Sequence, residues 1–168
     1  DQDELWKIIE TSLDEAAKMF VQSRITEGEN LKKDMIDKLD GMRAAVDYIE
    51  EISPELVEEY RRKLTDKITE VLDNPVIDEN RSATEVVIYA DKICVEEETV
   101  RLKSHISSTK KILENGGSVG RKLDFIAQEM NREANTILSK ANSLDVSDKA
   151  IQLKTDIEKV REQIQNLE

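Results

Sequence analysis

Apolar residues return at steps of three and four along most of this chain, and that spacing leaves few folds open to it. Leu5, Ile8, Ile9, Leu13, Ala16, Ala17 and Phe20 begin the pattern, and Leu31, Met35, Leu39, Met42, Val46 and Ile49 continue it. Residues three and four apart share one side of an α-helix, whereas a half-buried strand needs alternation. Only five glycines and two prolines interrupt the 168 residues, so long helices joined by short connections are expected. Aromatics make up 4% of the chain, and packing from Ala, Leu, Ile, Val and Met suits helix-on-helix contact. The reading is an all-α protein of long antiparallel helices and helical hairpins. It is elongated and oligomeric, because some of these helices are too long for one chain to cover. No strand, internal repeat or low-complexity tract emerges, and the heptad-like stretches are interrupted too often for a simple coiled coil.

Residues 3 to about 51 read as one long helix or two collinear ones, with Gly28 and Gly41 permitting a bend without forcing a break. Ser53-Pro54 reads as a restart, with Ser at the N-cap and Pro at the first helical position. A second helix follows through Leu56, Tyr60, Leu64, Ile68 and Leu72, and Asp73-Asn74-Pro75 ends it. After a polar connection near Asp78–Ser82, a third helix runs through Val86, Val87, Ala90, Ile93, Glu97 and Val100 to about Leu113. Asn115-Gly116-Gly117 stops it, and Ser118 is placed to cap a fourth helix. A loop near Asn142–Asp145 precedes a last amphipathic helix with Ile151, Leu153, Ile157, Val160, Ile164 and Leu167. Residues 1–85 thus form a long helical hairpin or central region, and residues 86–168 a C-terminal helical domain.

Charge is unevenly spread. Residues 1–60 hold 17 acids and 7 bases, a net of −10, against −12 for the whole chain. The first third would repel a nucleic acid or an anionic membrane, so an anionic ligand is expected to approach the C-terminal half. The single cysteine, Cys94, excludes an intrachain disulfide and reads as a small core residue. No signal peptide and no apolar run of about 18 residues is present. A cytoplasmic location with no membrane contact is therefore the expectation. Because the chain opens at Asp1 directly into a helical pattern, it reads as a fragment of a longer protein.

The run from Gly120 to Lys140 has the least ordinary surface. Leu123, Ala127, Met130, Ala134, Ile137 and Ala141 form an apolar stripe, while Asp124, Gln128, Asn131, Arg132 and Asn135 lie opposite with Glu129 and Glu133 beside them. Asn is a poor helix former that competes for backbone hydrogen bonds, so helix stability alone did not select this face. Asp124, Glu129 and Glu133 could ligate a hard divalent cation, with Gln128 and Asn131 as amide partners, and Arg121 and Arg132 could hold phosphate oxygens. A polar network locking a hairpin accounts for the same residues. On the third helix Glu97, Arg101 and His105 stand at successive i,i+4 positions with Glu98 nearby. This is either a ladder that orients the chain's only imidazole or a surface salt-bridge row. Gly116-Gly117-Ser118-Val119-Gly120-Arg121 is a turn whose helix start could take a phosphate, though it matches no Walker or dinucleotide spacing. Trp6, Tyr48, Tyr60 and Tyr89 read as packing residues rather than a base-stacking platform.

The Gly120–Lys140 segment, GRKLDFIAQEMNREANTILSK, resembles the C-terminal signature of the YicC/YloC family of bacterial proteins. The likeness extends upstream through Val95-Glu96-Glu97-Glu98 and Arg101-Leu102 to His105. Downstream it takes in Ala150 to Lys154 and Arg161 to Glu168, and more loosely Arg24 with Thr26-Glu27-Gly28. The resemblance implies an endoribonuclease that cuts single-stranded RNA with Mg2+ or Mn2+, acting as a ring-like homo-oligomer such as a hexamer, with a separate N-terminal domain and no role for DNA. It makes Glu97, Glu98, His105, Glu129 and Glu133 the catalytic candidates and Asp124, Glu129 and Glu133 the metal candidates. Arg101, Arg121, Arg132, Gln128, Asn131 and Asn135 become the RNA contacts. Cys94 stands where relatives often carry Asp, which keeps it out of the site. The rival reading is a helical scaffold or adaptor that oligomerises and binds RNA or protein without cutting.

Overall fold

The computed structural model describes residues 1–71 and 79–166. The protein is all-α, with five helices among the described residues: α1 (Gln2–Val71), α2 (Glu79–Ile93), α3 (Glu96–Asn115), α4 (Gly120–Lys140) and α5 (Leu144–Ile164). α1 is one unbroken helix of 70 residues, about 105 Å long at 1.5 Å per residue. The restart expected at Ser53-Pro54 does not occur, because Pro54 lies inside the helix. A proline there cannot donate to the Glu50 carbonyl and crowds it. Ser53 Oγ instead donates to the Ile49 carbonyl at 2.6 Å. Val46 and Ile49 are fully buried on one side of the proline, while Ile52 and Leu56 pack against the core around it. Packing on both sides outweighs a local cost of about 3 kcal/mol.

The expected stop at Asp73-Asn74-Pro75 lies outside the described residues, as do Leu72, Asp78 and Leu167. Ser82 belongs to α2 rather than to a connection. What read as one third helix is two, broken at Cys94 and Val95. Ile93 and Val95 are both buried, and residues two apart cannot face the same way on a continuous helix. The break satisfies both and turns the intervening Cys94 outward, so it is exposed and not a core residue. Glu96, Glu97 and Glu98 then fill the first turn of α3, where the helix dipole favours acids. Gly116 and Gly117 make the next turn with φ of +68° and +92°, angles that side chains resist. Val119, not Ser118, holds the N-cap position of α4, without a side-chain bond. Ser143 caps α5 by accepting from the Val146 N–H at 3.2 Å.

α4 packs against α3 on one side and α5 on the other, while α1 packs against the far sides of α3 and α5. The result is a four-helix bundle with α1 diagonal to α4. Met35, Leu39, Met42, Val46 and Ile49 of α1 share one core with Leu102, Leu123, Met130, Ile137, Leu153 and Ile157. This apolar packing crosses residue 85. Lys103 clamps α3 to α1 through Asp47, at 2.6 Å, and Glu50. The Lys103 bond holds Asp47 below the ordinary carboxylate range. Burial would lower the Lys103 pKa, but its two carboxylate partners raise it above the usual lysine value.

The first thirty residues of α1 extend beyond the bundle and are exposed. Their stripe, including Leu5, Ile8, Leu13 and Phe20, covers nothing among the described residues, and Trp6 is exposed rather than packed. Tyr60 and Tyr89 stack at 3.7 Å and tie α2 to α1, and the Lys149 ammonium lies 5.5 Å over the Tyr48 ring. No helix of the described residues is long and apolar enough to cross a membrane. Because Pro54 is exposed, Pro54→Ala restores a backbone bond without losing packing. It is expected to raise unfolding stability by about 1–3 kcal/mol, measured by urea denaturation; a lower midpoint would show that the ring contributes packing.

Candidate functional site

Helix periodicity divides α4 into four bands. Leu123, Ala127, Met130, Ala134 and Ile137 are fully buried, as their spacing predicts. The polar residues, which read in the sequence as one face, separate into two seams and an outer surface. Asp124 and Asn131 turn to α5: Arg161 donates to Asp124 Oδ1 at 2.9 Å, and Asn131 Nδ2 donates to Glu158 Oε1 at 3.2 Å. Glu133 and Lys140 turn to α3. Gln128, Arg132 and Asn135 face outward and are exposed, with Arg121.

The α3–α4 seam gathers the most charge. Arg101 Nε donates to Glu133 Oε1 at 2.8 Å, Nη1 to Glu97 Oε2 at 3.0 Å and Nη2 to Glu98 Oε1 at 3.5 Å. Lys140 Nζ reaches the same Glu98 oxygen at 3.1 Å and the Cys94 carbonyl at 2.8 Å. Glu98 and Glu133 are each 6% exposed, so their charges depend on these cations. The hydrogen bonds to Glu133 and then Glu97 raise the Arg101 pKa above its ordinary value. One atom is left over: Glu98 Oε2 is buried and has no hydrogen-bond partner among the described residues.

The two polar lines therefore meet, but in a packed seam. The clefts of 710, 540 and 360 Å3 lie elsewhere; the first is lined by Arg24, Glu27 and Gly28 with Gln163 and Asn166. His105, half-buried, follows Arg101 by one turn on α3, and the ladder stops at Arg101, which bonds acids only. Glu129 lies one turn before Glu133 and is half-buried. Asp124, Glu129 and Glu133 do not assemble as a ligand set, because Asp124 and Glu133 serve opposite seams. Among the described residues no group of three or more His, Cys, Asp or Glu is placed to hold a metal ion. The Arg161 hydrogen bond, helped by a weaker one from Gln128 and opposed by desolvation, holds the Asp124 carboxyl below its usual range.

Sequence reasoning missed Lys140 and Arg161 as partners. Lys140 lies seven residues after Glu133, on the same side of α4, which is a usable signal. Arg161 had none, since spacing along α5 does not say which residue of α4 it meets.

Residues 49–168 match the family described as endoribonuclease YicC-like, C-terminal. The chain is 44% identical over 169 residues to a protein of Clostridioides difficile (strain 630), and 38% identical over 168 residues to one of Haemophilus influenzae. Each of these relatives is named "Probable endoribonuclease YicC", and the matches take in all of this chain and 58% of each relative's length.

Replacing Arg101 tests the seam. Arg101→Ala takes from buried Glu133 its ion-pair partner and leaves buried Glu98 with Lys140, whereas Glu97→Ala, at a side chain that is 83% exposed, gives up only a solvated pair. Thermal melts at neutral pH are expected to show the larger loss for Arg101→Ala. Equal losses would mean that the seam is not held by charge.

Proposed function

This chain belongs to the YicC-like endoribonuclease C-terminal family, and on that footing we propose that it is the helical part of an enzyme that hydrolyses single-stranded RNA. The α3–α4 seam is then its reacting surface. The carrying observation is the order of groups along α3. Glu98, with its unpartnered Oε2, and His105 stand three residues before and four residues after Arg101. A guanidinium anchored through Nε by Glu133 turns its Nη edge to a phosphate that displaces the exposed Glu97 from Nη1 and the longer, 3.5 Å contact of Glu98 from Nη2.

With phosphate on Arg101, Glu98 takes a proton from the attacking water as its oxygen bonds to phosphorus. His105 gives a proton to the ribose oxygen as the P–O bond breaks. Arg101 balances charge on the non-bridging oxygens. The support for divalent-metal dependence is narrower than the sequence suggested. Glu98 and Glu133, both now bonded to Arg101, would be the residues to hold an ion. Such an ion supplies charge stabilisation and a more acidic water.

The same reading takes in a homo-oligomer, supported by the exposed apolar stripe of Leu5 to Phe20. That stripe also favours the rival scaffold, so two experiments separate the readings. In full-length protein with Mg2+ or Mn2+, Glu98→Gln is expected to cut unstructured RNA roughly 10²- to 10⁴-fold more slowly and still bind it. Unchanged cleavage in both Glu98→Gln and His105→Ala would refute the assignment, and binding without any cleavage by the unaltered protein would favour the scaffold. For assembly, Leu13→Glu is expected to reduce the mass seen by analytical ultracentrifugation; an unchanged mass would place the subunit contact elsewhere.

A further inference from the structure

The outer face of α4 has a composition that the bundle does not require. Its exposed residues are Arg121, Lys122, Phe125, Gln128, Arg132, Asn135 and Ser139. In a chain of net charge −12 this face carries no carboxylate. Of the three acids of α4, Asp124 and Glu133 turn to the two seams, and Glu129, half-buried, borders this face one turn after Phe125. Arg121, Lys122 and Arg132 make no ion pair among the described residues. Within this band Phe125 is 63% exposed, one turn after Arg121 and two turns before Arg132.

A single exposed phenylalanine is ordinary on a protein surface. One set between two uncommitted guanidiniums, on an acid-free face flanked by amides, is a combination that suits single-stranded nucleic acid. Every base offers a face to stack on an aromatic ring, and the phosphates on either side need cations at a helical turn or two. We propose that Phe125 is a base-stacking platform on an RNA track along the outer face of α4. Arg121 and Arg132 hold the phosphates that flank the stacked nucleotide. Asn135 and the Gln128 carbonyl, whose amide nitrogen is engaged with Asp124 at 2.7 Å, are left for base edges. The track leads the strand past the α3–α4 seam and so gives the site its preference for unpaired RNA. This inference rests on the RNA-cutting function proposed above.

The test uses full-length protein in EDTA and a short unstructured RNA carrying 2-aminopurine, with a duplex of the same length as control. Phe125→Ala is expected to weaken single-strand binding roughly 5- to 150-fold, the range of one base–aromatic stack, and to leave duplex binding unchanged. Phe125→Trp should restore affinity and the quenching of 2-aminopurine, while Phe125→Leu should restore neither. Arg132→Ala should weaken binding and lower the salt dependence by about one ion. Wild-type affinity in Phe125→Ala, or equal rescue by Leu and Trp, overturns the stack. A change in sedimentation with Phe125→Ala overturns it too, by making the ring a protein contact. If Glu98→Gln abolishes cutting while Phe125→Ala binds normally, only this inference falls. If the unaltered protein binds no RNA, both readings fall.

Discussion

The complete burial of one stripe of α4 between α3 and α5 governs the rest of the molecule. Leu123, Ala127, Met130, Ala134 and Ile137 are all inaccessible to solvent, and the two alanines let the neighbouring helices come close. Once that stripe is fixed, every polar residue of α4 has its direction set by helical geometry. Asp124 and Asn131 go to α5, Glu133 and Lys140 go to α3, and Arg121, Phe125, Gln128, Arg132 and Asn135 go to water. A shift of one residue in the packing of α4 would dissolve both seams together.

Charge follows from the same constraint. The chain is strongly acidic, yet where α3 meets α4 each acid is answered by Arg101 or Lys140. Burying Glu98 and Glu133 is costly without those cations, so the seam is as much a structural lock as a chemical surface. The two roles are compatible. A guanidinium held at Nε is fixed in position, and pre-positioned charge is what phosphate chemistry exploits. The acid-rich α1, by contrast, meets the bundle through cations of α3, with Lys103 and Lys110 reaching Asp47, Glu50 and Asp40.

Several features could be read before any fold was known. The 3.6-residue period identified the all-α class and the buried stripe of α4, and the paired glycines identified the Gly116-Gly117 turn. Local signals failed where tertiary packing overrode them. Ser53-Pro54 has the composition of a helix start, but buried neighbours on both sides carry α1 straight through it. Cys94 sits in an apolar helical pattern, but Ile93 and Val95 both need the core, and the helix breaks between them. Phe125 falls on the side of α4 opposite its buried stripe, in phase with Arg121 and Arg132, so its exposure follows from spacing that was already in the sequence.

The sequence by itself determined that the chain is helical, which residues of α4 face inward, and that the Gly120–Lys140 helix bears an unusual surface. Those are properties of one helix at a time, fixed by angular position around its axis. Which helix lies against each band is a different quantity, decided by how the whole bundle packs. Only the tertiary structure could send Asp124 to Arg161 and Glu133 to Arg101, dividing what looked like one set of ligands between two seams. It also left Glu98 Oε2 without a partner and the outer face of α4 without an acid, because burial and pairing are settled between helices.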